Sequence, residues 1–298
     1  MRLKDLKNWA IAQLQHLTQL PAPSNVSPQT LKIEVDVLLQ SALELTKEQL
    51  IIKSNDEIDR AIIEKFQLLI SRRAKSEPVA YIIGKKEFYK RTFIVNNSVL
   101  IPRPETEILV ELALKNFTKM TKDFYLLDVG TGSGAIVLSI IDELREKFGQ
   151  EYLKSGEIHA VDISDKALNI ARKNSDNLQL SQYVKFYNSD LLNQIKINKN
   201  RTLILIVANP PYIMESVPLP SHVGLYEPYL ALRAGADGLD IIRRLLAELL
   251  EYLQAGAKLI MEIGEEQEDG ITKILQSYKI GNFEFVRDYS EKTRFLLI

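Results

Sequence analysis

The 298-residue chain contains no cysteine, which excludes disulfides, a thiolate nucleophile, cysteine-ligated zinc and iron–sulfur clusters. Histidine is almost as scarce. His16, His159 and His222 stand far apart in sequence without paired spacing, so neither a histidine metal site nor a Ser-His-Asp constellation is offered, and no metal is expected. No apolar run approaches the ~18 residues of a membrane span, and the opening Met1-Arg-Leu-Lys-Asp-Leu is too charged for a signal peptide. A cytoplasmic protein without a membrane partner is therefore expected. An excess of one charge is missing too: 38 Lys+Arg stand against 39 Asp+Glu, unlike a protein whose affinity comes from phosphate contacts. Direct nucleic-acid binding is not expected to be required.

What is present is a chain apolar enough, at 46% hydrophobic, and long enough for two globular domains. From Ser54 to Ile70 the residues Ile58, Ala61, Ile62, Phe66, Leu69 and Ile70 recur at helical spacing behind a Ser54/Asn55 cap. Leu3–Leu17 and Leu31–Leu45 also read as helices, separated by the Pro21-Ala-Pro-Ser loop, and Thr46-Lys-Glu-Gln has the form of a capping box. Residues 1–83 are predicted to form a small all-helical domain. The stretch Ser71–Arg91 holds seven Lys/Arg against two Glu, which as a charge run reads as a solvated surface before it reads as a binding patch.

Beyond it the pattern changes. Phe88–Val95 and Ser98–Ile101 are β-prone runs joined by Asn96-Asn97, and predict a β-hairpin linker over residues 84–101. In residues 102–298, short apolar runs alternate with helical stretches: Phe124–Val129, Ile158–Asp162, Val184–Tyr187, Leu203–Ala208 and Lys258–Ile263. Such alternation implies an α/β fold with a mostly parallel sheet covered by helices on both faces. Phe283–Tyr289 and Arg294–Leu297 are too close for a crossover helix and should pair antiparallel.

The ends of these runs carry the chemistry. Leu126-Leu-Asp-Val-Gly-Thr-Gly-Ser-Gly leads a buried strand into a glycine turn and then a helix; Gly130, Thr131, Gly132, Ser133 and Gly134 form a loop a ligand can approach closely. Its G-x-G-x-G spacing differs from the dinucleotide G-x-G-x-x-G, so a pyrophosphate is not the best ligand. The next run ends on Asp162, able to accept from both hydroxyls of a ribose. The third ends at Ser189-Asp190-Leu191, where Asp190 suits an adenine amino group and Leu191 could cover the base. Any one of these is as easily an ordinary turn; three successive strand ends with nucleoside-binding chemistry point to a nucleoside site. The fourth run enters Asn209-Pro210-Pro211-Tyr212. Two prolines stiffen the exit and fix the carbonyl directions, Asn209 adds a side-chain acceptor, and Tyr212 adds a flat face for a planar group. A bare Pro-Pro turn is the bland alternative.

Asn209-Pro-Pro-Tyr together with this glycine loop resembles the amino-methyltransferases, which use S-adenosylmethionine to methylate planar NH2 groups. Glu77-Pro-Val-Ala-Tyr-Ile-Ile-Gly, Glu87-Phe-Tyr and above all Leu100-Ile-Pro-Arg-Pro-Glu-Thr-Glu107 are similar, within that group, to the release-factor glutamine methyltransferases of the HemK type. The resemblance spans about Pro28 to Arg294. It implies a Rossmann-like class I methyltransferase with a seven-stranded sheet, S-adenosylmethionine as methyl donor and S-adenosylhomocysteine as product. It further implies class I peptide chain release factors as protein partners, methylated on N5 of the glutamine in their Gly-Gly-Gln motif. Residues 1–83 would then dock the substrate. Asn209, Pro210 and Tyr212 would be catalytic; Pro211 and Leu100 would join them in holding substrate; Gly130–Gly134, Asp162, Asp190, Leu191 and Asn209 would hold the cofactor. The chain departs from the family pattern at Lys90 and Glu291, where glycine is usual, and at Leu191, where an aromatic is common. Three rivals remain: a glutamine methyltransferase of a ribosomal protein, an N6-adenine or N2-guanine methyltransferase, and a non-catalytic cofactor-binding scaffold.

Overall fold

The computed structural model describes residues 1–21 and 25–298. Most of the Pro21–Ser24 loop thus lies outside the described residues. The chain divides into two compact units: Met1–Lys85 with Pro218–Glu227, and Lys86–Val217 with Pro228–Ile298.

The first unit is helical. Its helices Leu3–Leu14, Pro28–Leu43, Lys47–Ile52 and Arg60–Arg73 bury one core, including Leu6, Leu14, Val35, Leu38 and Phe66. Ser27 caps the second helix through Thr30 N–H, and Thr46 with Gln49 closes the capping box expected there. The helix predicted from Ser54 instead begins at Arg60. Asp59 accepts from Ala61 N–H and outcompetes Ser54/Asn55 as the cap, leaving Ile58 ahead of the first turn. The first helix stops at Leu14 and tightens into a 3₁₀ segment, Gln15–Gln19.

The second unit begins with a two-stranded hairpin, β1 (Lys85–Phe88) and β2 (Arg91–Ile94). Its turn is Tyr89-Lys90, both at positive φ (45° and 66°), rather than the predicted Asn96-Asn97. A two-residue hairpin needs left-handed backbone at both turn positions, and Tyr89 and Lys90 adopt it despite their side chains. Glu107 accepts from Tyr89 N–H at 2.9 Å and anchors that turn.

Seven strands then form the main sheet: β3 (Phe124–Val129), β4 (Glu157–Asp162), β5 (Lys185–Asn188), β6 (Leu203–Ala208), β7 (Lys258–Glu262), β8 (Glu284–Arg287) and β9 (Thr293–Leu297). The order is β5-β4-β3-β6-β7-β9-β8. β3 to β7 run parallel, and β9 lies antiparallel to both β7 and β8, as the short link between the last two runs requires. Alternate residues of β3 feed opposite faces: Phe124 and Leu126 join the core that holds Ile136, Val137 and Ile140, while Tyr125, Leu127 and Val129 join the one that holds Ile242, Leu245 and Leu249. The strand order reverses between β4 and β6 around β3. This topological switch point opens a crevice at the carboxyl edge.

Candidate functional site

A cavity of about 510 Å³ occupies that crevice, wholly within the second unit. Four strand ends contribute to it: Gly130–Ser133 after β3, Asp162 ending β4, Asp190 and Leu191 after β5, and Asn209–Pro211 after β6. Leu100 lines it too. Of the residues singled out in the sequence, Gly134 and Tyr212 are not on its wall.

Backbone and side-chain hydrogen bonds hold the glycine loop. Gly130 and Thr131 N–H both donate to Val161 O at 2.9 Å, stitching the loop to β4. Thr131 Oγ1 donates to Asp128 Oδ2 at 2.7 Å, and Gly134 N–H donates to Thr131 O at 2.8 Å. Gly132 sits at φ 55°, and a Cβ there would meet no protein atom within 4 Å. The open side of Gly132 therefore faces room for a ligand. Gly134, at φ 80°, begins the helix Ala135–Phe148, and its missing side chain makes space for Leu138 and Ala171.

Asp162 is organised before any ligand arrives. Its Oδ2 accepts from Gly132 N–H at 2.8 Å and its Oδ1 from Ser164 N–H at 2.9 Å. Burial raises its pKa, and the backbone donors at Ser164 and Gly132 oppose that rise. Asp190 is engaged differently: Arg244 donates to its Oδ2 at 2.7 Å, so this carboxylate meets the cavity as half of an ion pair. Leu191 takes a left-handed conformation (φ 51°), while Ser189 Oγ donates to its carbonyl at 2.8 Å.

The Asn209–Tyr212 exit is held from behind. Asn209 Nδ2 donates to Thr106 Oγ1 at 3.2 Å, and Thr106 Oγ1 donates to Glu262 Oε2 at 2.6 Å. Tyr212 donates its hydroxyl to Glu262 Oε1 at 3.2 Å. Glu262 ends β7 and is 2% exposed; burial raises its pKa, opposed by these two hydroxyl donors. Gln267 donates through Nε2 to both Tyr212 O and Gly238 O at 3.1 Å, and accepts from Gly264 N–H at 2.8 Å. The ring of Tyr212 packs against the core of one sheet face. Pro102 and Arg103 of the Pro-Arg-Pro stretch line the cavity, whereas Thr106 and Glu107 of the same stretch tie it to β7 and to the hairpin.

Sequence reasoning missed Thr106, Glu262, Gln267 and Arg244. Glu262 had a readable signal, a carboxylate closing the apolar run Lys258–Met261 at the same sheet edge as Asp162. Gln267 had none. Four of the seven basic residues of the stretch Ser71–Arg91 are ion-paired within their own unit: Arg72 pairs with Glu77 and Arg73 with Glu34, while Arg91 pairs with Asp142 and Glu143, and Lys90 with Glu143. Among the described residues no cluster of His, Asp or Glu could hold a metal ion, and no helix is long and apolar enough to cross a membrane.

Residues 26–84 match the family described as PrmC N-terminal domain, and residues 120–254 a methyltransferase domain family. A release factor glutamine methyltransferase of Koribacter versatilis is 34% identical, over 95% of this chain and 94% of that protein. One from Clostridium acetobutylicum is 35% identical over 88% of each. A bifunctional methyltransferase of Rickettsia prowazekii is 34% identical over 89% of this chain; the chain spans only 53% of that longer protein's length. Among solved structures, the hMettl16 catalytic domain in complex with a MAT2A 3′UTR hairpin aligns with a TM-score of 0.53 at 13% identity, covering 87% of this chain and 86% of that one. That likeness concerns the fold alone.

Proposed function

The chain belongs to the release factor glutamine methyltransferase family, and from that membership we propose that it methylates N5 of the glutamine in the Gly-Gly-Gln motif of class I peptide chain release factors. The observation that carries this reading is the side-by-side placement, on one cavity wall, of the glycine loop and the Asn209-Pro210-Pro211 exit. One part fits a nucleoside-bearing methyl donor, the other a planar NH2 group.

The residues present fit S-adenosylmethionine. Gly130 and Gly132 leave the backbone bare beside the cavity, Asp162 presents a carboxylate fixed by two backbone donors, and Asp190 and Leu191 line the same cavity. When bound, the cofactor supplies a methyl group already activated by its sulfonium. The protein's task is then to position the nucleophile. An amide nitrogen is weak because its lone pair is delocalised, so orientation and exclusion of water supply most of the acceleration. One substrate N–H would donate to Asn209 Oδ1 and the other to Pro210 O, whose direction two consecutive prolines stiffen. Leu100 and Pro211 would flank the amide. Tyr212 supports the segment from the core side through Glu262. No side chain need act as a strong base, since the methylated amide can lose its extra proton to water.

Residues 1–83 are proposed to dock the remainder of the protein substrate, since the cavity draws no lining residue from them. Purified class I release factors incubated with the protein and labelled S-adenosylmethionine test the whole reading. Label located by mass spectrometry on the Gly-Gly-Gln glutamine supports it; label on another residue, or none, rejects it.

A further inference from the structure

Asn209 carries an oxygen and a nitrogen on one planar group, and only the oxygen can receive a substrate N–H. Something must decide which of the two faces the cavity. The hydroxyls of Thr106 and Tyr212 and the nearby Arg294 charge favour the carboxylate form of Glu262 against its burial, and a carboxylate can only accept, as it does from Thr106 and from Tyr212. The Thr106 proton is thereby committed to Glu262 at 2.6 Å, so toward Asn209 the same hydroxyl can only accept. Asn209 must answer with Nδ2–H, as it does at 3.2 Å, and its Oδ1 accepts nothing from the described residues.

We infer that Glu262 and Thr106 are positioning residues that set the hydrogen-bond polarity of Asn209 and so present its side-chain oxygen to the substrate amide. This rests on the amide-methylation reading above. Its chemical content is a directional relay from an acceptor-only carboxylate, through a hydroxyl that donates one way and accepts the other, to the amide of Asn209. Glu262 is 2% exposed and Thr106 4%, so water does not readily replace either partner. Glu262→Gln keeps size and shape yet removes the rule: a glutamine Nε2 can donate to Thr106, whose hydroxyl is then free to turn its proton on Asn209 Oδ1.

The test uses the 298-residue chain with Thr106→Val, Thr106→Ser and Glu262→Gln. Cofactor affinity by calorimetry reports whether each folds. Single-turnover methylation of a class I release factor should fall by ~10–100-fold in Thr106→Val and Glu262→Gln with substrate KM changed only a few-fold, as for a misoriented group. Thr106→Ser should recover most of the rate. Nitrogen-15 labelling of asparagine side chains adds a reading that needs no substrate: the Asn209 NH2 signal, assigned by its loss in Asn209→Asp, should shift in Thr106→Val and return in Thr106→Ser. Wild-type rates together with an unmoved Asn209 signal in Thr106→Val would overturn the relay. If the wild-type protein leaves release factors unmethylated, the amide-methylation reading fails, and the Asn209 signal still decides the polarity.

Discussion

Tyr212 gives its hydroxyl to Glu262 Oε1 at 3.2 Å and does not reach the cavity wall, although its sequence neighbours Pro210 and Pro211 do. Burial, then the Glu262 charge, pushes the phenol well above its ordinary pKa, so it remains a neutral donor. Tyr212→Phe should therefore lose about 1.5–3 kcal/mol of stability, the usual worth of a hydrogen bond to a charged group. Methyl transfer should stay within about tenfold of wild type, a barrier change below ~1.4 kcal/mol. Denaturant titration beside single-turnover rates checks both; a rate loss far beyond tenfold would place the hydroxyl in the reaction itself.

Gly132 and Gly134 share a motif and left-handed backbone but differ in what surrounds them. A Cβ on Gly134 would stand 3.0 Å from Leu138 Cδ1 and 3.3 Å from Ala171 Cβ, while one on Gly132 would meet no protein atom within 4 Å. Both alanine variants carry the left-handed penalty of about 1–2 kcal/mol. Gly134→Ala should add a packing cost and melt lower, with cofactor affinity little changed. Gly132→Ala should keep more stability but weaken cofactor binding, because its methyl would enter the cavity. Calorimetry and thermal melts on the pair separate the two roles, and equal losses of affinity would refute the distinction.

The mostly parallel sheet, the antiparallel last pair and the glycine and proline turns that end β3 and β6 were legible because strand periodicity and glycine or proline punctuation are local signals. The hairpin was not. Its turn falls on Tyr89-Lys90, residues with no left-handed preference, and is fixed by Glu107, eighteen positions away. Likewise the partner of Asn209 is Thr106, which in turn bonds Glu262, and only the folded chain brings the three together. Asp190 was readable as an acid at a strand end, but its pairing with Arg244 was not.

Lys90 and Glu291 occupy turns at φ 66° and 60°, conformations that favour glycine. Lys90 pairs with Glu143 and lies 5.6 Å over the Tyr89 ring, its own side chain exposed, and Glu291 lies 3.7 Å from Arg287, so either side chain contributes little. Lys90→Gly and Glu291→Gly should each stabilise the protein by about 0.5–1 kcal/mol, the left-handed relief less the extra chain entropy of glycine. The gains should add, since the turns are independent. Denaturation midpoints that fall in both variants would show that the side chains, not the backbone, govern these turns.

Asp128 lies fully buried at the end of β3, and burial pushes its carboxyl up to about 7 from 3.8, against the opposing bond from Thr131. Between those values the folded protein holds a proton that the unfolded chain has lost. Stability from this group therefore falls as pH rises from about 4 to about 7 and is level above that. Asp128→Asn stays neutral throughout and can still accept from Thr131. Its stability relative to wild type should rise across that window and then plateau. A difference that is constant from pH 4 to pH 8 would mean that Asp128 does not titrate there.

Asn209 joins the cavity to the buried relay, and its substitutions separate acceptor chemistry from support. Asn209→Ala removes the acceptor and should slow methyl transfer by at least ~10²-fold, as for loss of one preorganised polar contact, while cofactor affinity changes only a few-fold. Asn209→Asp keeps an acceptor oxygen but cannot donate to Thr106, and it sets a second carboxylate beside the hydroxyl that already serves Glu262. Its rate should fall between those of Asn and Ala. A release factor carrying Gln→Glu in its Gly-Gly-Gln motif serves as the control, because a carboxylate offers no N–H to Asn209 or Pro210. Near-normal rates for the Ala variant, or methylation of the Glu substrate, would show that the amide is not held by this pair of acceptors.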